Sequence, residues 1–382
     1  MKPFSVALGI ALASTACADD LTLGYWGKGP DGGSPRKLLQ MGWDRPTTAF
    51  VRDNVRAMEA RPFDGIVFQL ELANAIFDST PMVLGDYAAD IANLKATPFQ
   101  KFTDNFVRVN GTSEPVDWFG DLSTVVANAG VAARFAREAG LRGIVLDTEA
   151  YDGGGVWHYP RQREAATRPF TSYRAAVRTQ GGAFMRSIAA AYPDIAIIIT
   201  FSYSEAYLDI AERGAASLAD ATYGLLPAFM DGLLDGAPPS ASIVDGYRNS
   251  YFYKSAVEFE RARSLMLSDA PRATAETSDA TIGGRVRAGF GLYIDATDPP
   301  GRFNAADFRG NYFQPDEFKN CVIWALSHAD KYVWLHNERM NWWTSTPTVA
   351  ISTPPPSSAP PDTWNFPTAY YDAVVAARAA VP

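Results

Sequence analysis

A chain of 382 residues with 47% apolar content has the makeup of a globular protein and room for one α/β barrel of about 250 residues with insertions. Its formal net charge of −8, with no contiguous basic stretch, argues against nucleic acid as a partner and would repel polyanionic polysaccharides unless a cleft were locally basic. Aromatic content is high at 13%; such side chains offer flat faces for sugar rings, but they also simply fill cores.

Met1–Asp20 reads as a bacterial signal peptide: one basic residue, a short apolar core, small residues, then acids. Ala16-Cys17-Ala18 fits cleavage after Ala18, so residues 1–18 are expected to be removed and the mature protein to be secreted or periplasmic. The alternative is a lipoprotein signal, with Cys17 lipidated and the protein anchored in the outer membrane. No other run is apolar for the roughly 18 residues that a membrane span needs. Cys321 is then the one thiol left, in an apolar helical pattern that predicts a buried, inert side chain.

Apolar runs without alternation, the mark of strands buried on both faces, alternate with helical stretches along the chain. Leu21–Trp26 is the first strand. A helix over 47–60 leads to Asp64–Leu70, and Asp104–Asn110 is third. An Ala-rich helix over 122–139 ends at Gly140, a normal C-cap, before Arg142–Leu146, the fourth. A helix over 173–191 precedes Ile195–Phe201. Thr222–Met230 is the sixth strand, weakened by Pro227. Arg287–Ile294 is seventh, and a helix from about Asp316 leads to Lys331–Leu335, the eighth. A Pro-rich segment over 353–361 precedes a last amphipathic helix over 367–380, read as the eighth helix docking on the barrel, with a free tail as the alternative. Eight β/α units in one uninterrupted alternation predict a single (β/α)8 TIM barrel over 19–382.

The fourth unit carries the strongest chemical signal. Gly143-Ile144-Val145-Leu146 ends in Asp147 and Glu149, two carboxylates that point the same way because strand side chains alternate. In parallel α/β folds the C-terminal ends of strands are where ligands sit. Close carboxylates also push their pKa values apart, which suits one to acid work. The competing readings are an N-cap for Asp147 and a buried arginine partner for Glu149.

The other strand ends place further polar or aromatic groups on the same rim: Trp26, Glu71, Asn110, Ser202 with Tyr203, Asp231, Asp295, and His336 with Glu338. Near them in sequence lie Trp118, Tyr151, Trp157, Tyr247, Tyr251, Tyr293, Trp342 and Trp343. Carboxylates interleaved with aromatics are what sugar cleavage needs, the first to protonate the leaving oxygen and the second to stack on rings.

Here the chain resembles the glycoside hydrolases built on (β/α)8 barrels. In the large superfamily with its acid/base at the end of strand four, a Glu stands where Glu149 does. The segment is also similar to family 18 chitinases, whose Asp-Gly-x-Asp-x-Asp-x-Glu motif is kept at Gly143, Asp147 and Glu149, with Tyr151 displaced and Arg142 and Val145 in place of the first two Asp. Phe229-Met230-Asp231 and Val333-Trp334-Leu335 extend the likeness. It implies Glu149 as general acid, and a second carboxylate among Asp147, Asp295, Asp231 and Glu338. Strand seven offers Asp295 where that superfamily usually has Glu. If the chitinase likeness holds, Asp147 instead positions an N-acetyl group or a water.

The functional expectation is a secreted glycoside hydrolase with a carbohydrate substrate and no cofactor or metal. The alternatives are a non-catalytic, lectin-like barrel and a polysaccharide lyase, whose Tyr/His/Arg base set cannot be assembled from sequence. Gly27-Lys28-Gly29-Pro30-Asp31-Gly32 matches a dinucleotide fingerprint, but Pro30 and Pro35 do not open the helix that would hold a phosphate. No G-x-S-x-G occurs, and His158, His328 and His336 are too few and scattered for a zinc site.

Overall fold

The computed structural model describes residues 35–70, 76–77, 79–110, 116–150, 155–277, 282, 284–296, 303–338, 340–343 and 367–381. The expected signal segment, the expected strand Leu21–Trp26, Glu71, Tyr151 and the Pro-rich stretch lie outside them.

The strands are β1 (Lys37–Gln40), β2 (Gly65–Phe68), β3 (Phe106–Asn110), β4 (Gly143–Asp147), β5 (Ala196–Ile199), β6 (Ser242–Asp245), β7 (Val286–Ala288), β8 (Phe290–Tyr293) and β9 (Tyr332–His336). All pair in parallel, in the order β7-β6-β5-β4-β3-β2-β1-β9-β8. β7 and β8 are two halves of one strand, interrupted at Gly289. The first half pairs with β6 through Val286 and Ile243, the second with β9 through Phe290 and Val333, and Gly289 N–H still reaches Asp245 O at 2.7 Å. The sheet therefore closes, and the fold is the (β/α)8 barrel.

Helices cover the outside: α1 (Thr48–Glu59), α2 (Ala88–Ala96), α3 (Ser123–Glu138), α4 (Phe170–Ala191), α5 (Tyr203–Ala211), α6 (Leu226–Gly236), α7 (Ala256–Ser264), α8 (Ala270–Thr274), α9 (Pro315–His328) and α10 (Thr368–Ala380). Their inner faces follow helical spacing. In α3 the buried Val125, Ala129, Ala132, Ala133 and Ala136 form one stripe. Thr47 caps α1 by accepting the Phe50 N–H at 3.2 Å, and Gly140 ends α3 at φ +71°. The last helix docks as expected. Arg378 on α10 bonds Asp64 at 3.1 Å and the Arg36 carbonyl at 3.0 Å, tying the C-terminus to the start of β1 and β2.

One expected strand is corrected, and the expected first strand lies outside the described residues. The first described strand is Lys37–Gln40, which seats only two apolar residues, Leu38 and Leu39, both fully buried. The sixth strand is Ser242–Asp245, not Thr222–Met230. Leu226–Gly236 is a helix with Pro227 in its first turn, where its missing N–H costs nothing. It reads as continuously apolar because every residue from Leu226 to Leu234 is buried, and periodicity cannot separate such a helix from a buried strand. It packs so closely on α4 that a Cβ on Gly232 would stand 2.2 Å from the Arg178 carbonyl.

Candidate active site

A cavity of about 370 Å³ opens at the C-terminal ends of the strands. Asp147 and Glu149 both reach it from β4, but their surroundings differ. Asp147 is 3% exposed. Its Oδ2 accepts both Nε (3.0 Å) and an Nη of Arg108, and its Oδ1 accepts the Thr200 hydroxyl at 2.8 Å and the Glu149 N–H at 3.2 Å. Arg108 sits mid-strand on β3 and also donates to Gln69 at 3.3 Å. A buried carboxylate held this way is fixed in place.

Glu149 is more open, with 19% of its side chain exposed, and Arg248 stands 3.2 Å from its Oε1. Asp147 was expected to raise the proton affinity of Glu149. Asp147 is instead paired with Arg108, and a guanidinium, Arg248, stands beside Glu149.

Arg248 follows β6 and lies over the rings of Tyr251 at 5.0 Å and Phe201 at 5.6 Å. Tyr251 in turn stacks on His336 at 5.4 Å and 9°. The His336 Nδ1 is 3.0 Å from the Met41 carbonyl, which can only accept, so Nδ1 carries the proton and Nε2 faces Glu338 at 3.7 Å. Tyr293 and Trp43 complete this aromatic wall, with centroids 5.0 and 6.4 Å from His336. Glu338 lines the cavity from the loop after β9, and Asn110 from the end of β3.

Trp43, Arg45, Gln69, Arg108 and Arg248 also line the cavity and were not singled out from sequence. Trp43 follows β1, in the position expected of Trp26. Its signal was masked because the strand before it is short and half polar. Arg108 did leave a trace, a lone charge inside the apolar run Phe106–Val109.

Other expected rim residues lie outside the cavity lining. Asp231 is fully buried on α6, where it accepts the Tyr203 hydroxyl and the Glu276 N–H, each at 2.8 Å. This removes both Asp231 and Tyr203 from the rim, because the expected sixth strand is a helix. Burial and Asp231 together push the Tyr203 phenol well up. Asp295 does end strand seven, but it is fully buried under the loop after β9. Its carboxylate accepts the Glu338 N–H at 3.0 and 3.2 Å and the Met340 N–H at 3.0 Å.

Trp157, Trp342 and Trp343 were expected to be exposed sugar platforms and are core residues instead. Trp157 packs between Trp118 and Phe229, and its indole N–H donates to the Thr148 carbonyl at 3.0 Å, bracing the backbone between Asp147 and Glu149. Trp342 and Trp343 pack on Phe63, and both bond Asp44, through the Trp342 N–H at 2.8 Å and the Trp343 indole at 3.1 Å. Asp44 also accepts Asn337 at 2.9 Å. Gly42 must lack a side chain there, since a Cβ would stand 2.0 Å from Asn337 Oδ1. Tyr247 is buried at φ +38°, with its hydroxyl 2.9 Å from that of Tyr253.

Cys321 is buried, and its thiol is pushed up to about 12 by burial, which leaves it unreactive. Among the described residues no group of three or more His, Cys, Asp or Glu could hold a metal ion, and no helix is long and apolar enough to cross a membrane.

No family model matches the chain, and no curated protein does. Among solved structures it is similar to a GH5-4 broad specificity endoglucanase from an uncultured bacterium, at 12% identity and TM-score 0.46, covering 88% of this chain and 86% of that one. It is similar to an endo-beta-1,4-glucanase from Xanthomonas axonopodis pv. citri, at 12% identity and TM-score 0.41, covering 91% and 100%. It is equally similar to a 3-keto-D-glucoside 4-epimerase from E. coli, at 12% identity and TM-score 0.40, covering 90% and 99%. Likenesses this distant carry no conclusion about activity, and the barrel rests on the chain's own strand pairing.

Proposed function

We propose that this barrel is a glycoside hydrolase, with Glu149 as general acid/base and Glu338 as the second carboxylate. The observation that carries the reading is that these two glutamates enter one cavity from opposite sides of the barrel, the ends of its fourth and eighth strands. Of the other carboxylates considered, Asp147 is locked to Arg108, and Asp231 and Asp295 are buried outside the cavity lining. Glu149 protonates the glycosidic oxygen as the C–O bond breaks, and the ring passes through an oxocarbenium-like state. Glu338 works from the other face, on a water or on the anomeric carbon directly. Trp43, Tyr251 and Tyr293 supply the apolar faces for the sugar. In this reading Asp147 is a positioning residue that orients Glu149 through its backbone N–H. Export of the mature chain is part of the same proposal and rests on the N-terminal sequence.

Release of reducing ends from a polysaccharide panel, by the protein and by Glu149→Gln and Glu338→Gln, tests the reading. Each variant should lose at least about 100-fold in turnover on an unactivated substrate, the lower end for general acid–base catalysis. Activated leaving groups should spare Glu149→Gln. Unchanged turnover in a folded Glu149→Gln protein overturns the assignment, and binding without cleavage leaves a lectin-like barrel. The gathering of Tyr251, Tyr293, His336 and three arginines in one cavity favours a second reading, a polysaccharide lyase. Ultraviolet-absorbing unsaturated products without hydrolysis would select it.

A further inference from the structure

Three guanidinium groups, Arg45, Arg108 and Arg248, line the cavity at the strand ends of a chain whose net charge is −8. They come from three separate strands, after β1, within β3 and after β6, so their convergence is a property of the fold and not of a local basic run. Arg108 is spoken for: its side chain is 13% exposed and forked onto the buried Asp147. Arg248 is placed differently. It is 36% exposed, pinned from behind by the Tyr251 and Phe201 rings, and touches the candidate acid Glu149. A stacked guanidinium at a cavity mouth is preorganised for the planar, two-point recognition of a carboxylate.

We propose that the sugar bound beside Glu149 is a uronate, and that Arg248 anchors its carboxylate. This rests on the carbohydrate reading above and names its substrate class. It also resolves the awkward placement of Arg248 against a general acid. A substrate carboxylate on Arg248 offsets the positive charge that stands 3.2 Å from Glu149 Oε1, whereas a neutral sugar leaves it in place. The arginines also overcome the repulsion that an acidic protein would otherwise exert on a polyuronate.

The test uses the full mature chain and three uronate tetrasaccharides, of galacturonate, glucuronate-containing and mannuronate backbone, each beside its methyl ester. The ester keeps the ring and linkage and removes only the charge. Calorimetric titration at low salt should show at least one acid binding about tenfold or more tighter than its ester, the worth of one charge-assisted pair. Arg248→Gln should reduce that acid-over-ester preference to within about threefold, and Arg248→Lys should keep part of it. Thermal melts establish that both variants fold. Equal binding of acid and ester on all three backbones, or a preference that survives Arg248→Gln, overturns the inference. Glu149-dependent cleavage of neutral oligosaccharides without any uronate preference sinks the inference and leaves the hydrolase reading standing. Selective uronate binding with no reducing ends released does the reverse. Binding of no sugar at all overturns both.

Discussion

Asp295 offers the sharpest separation between a catalytic and a supporting carboxylate. It ends strand seven, where a nucleophile was expected, yet it is fully buried and accepts backbone N–H groups of Glu338 and Met340. Asp295→Asn keeps the shape and one acceptor oxygen. That oxygen can serve one or both donors, but the new amide nitrogen then faces a backbone N–H about 3 Å away. One to two charge-assisted bonds are lost, each worth about 1.5–3 kcal/mol, so urea unfolding should report a destabilisation of about 1.5–6 kcal/mol. The loop carrying Glu338 shifts with it, and a misplacement of about 1 Å costs on the order of 100-fold in turnover. Activity should therefore fall but remain measurable. A nucleophile behaves otherwise: Asp295→Ala would abolish turnover, and azide or formate would restore it by entering the vacated position. Anion rescue, or an Asp295→Asn protein of unchanged stability with no activity, would refute the strut assignment.

Trp157→Ala should lower stability by about 3–5 kcal/mol, as for an aromatic lost from a packed core, in a denaturant titration; a variant of full stability that binds sugar more weakly would restore the exposed-platform reading. Asp245, fully buried at the end of β6, accepts the Ser202 and Ser204 hydroxyls and the Tyr247 N–H, and burial pushes its carboxyl up to about 6. Below about pH 4 both folded and unfolded chains hold this proton; between about 4 and 6 only the folded chain does, so stability falls as pH rises, by about 3 kcal/mol in all, and is flat above. Asp245→Asn lacks the titrating group, so the difference in urea stability between wild type and variant should carry that slope between about pH 4 and 6, and a flat difference refutes the assignment.

How much could be read beforehand depended on whether a residue's role was local. Gly143–Asp147 announced itself, since four consecutive apolar residues ending in a carboxylate leave few options. The helices α1, α3, α4 and α9 followed from spacing and caps to within a few residues. β1 escaped because the barrel buries Leu38 and Leu39 between partners far away in sequence, and four residues carry little pattern. α6 was mistaken because burial on all sides erases periodicity. The tryptophans failed for a related reason. Trp157, Trp342 and Trp343 do follow strands, but each packs its ring into the core beneath the rim, and loop geometry is not written in composition. The arginine lining was the least visible, because Arg45, Arg108 and Arg248 are isolated in sequence and only closure of the barrel brings them together.

That closure sets a schedule for the chain's own assembly. β1 hydrogen-bonds β9, Lys37 opposite Tyr332, so the first and last described strands are neighbours. On a ribosome adding about 5–20 residues per second, β1 waits without its partner until nearly the whole chain has been made. Through that interval the growing sheet has two unpaired parallel edges, the kind of surface on which chains associate wrongly. The contacts that end the exposure are among the most distant in the sequence, which makes them slow to form. A chain stopped anywhere before β9 is thus not a smaller version of the protein but an open sheet with its inner face uncovered.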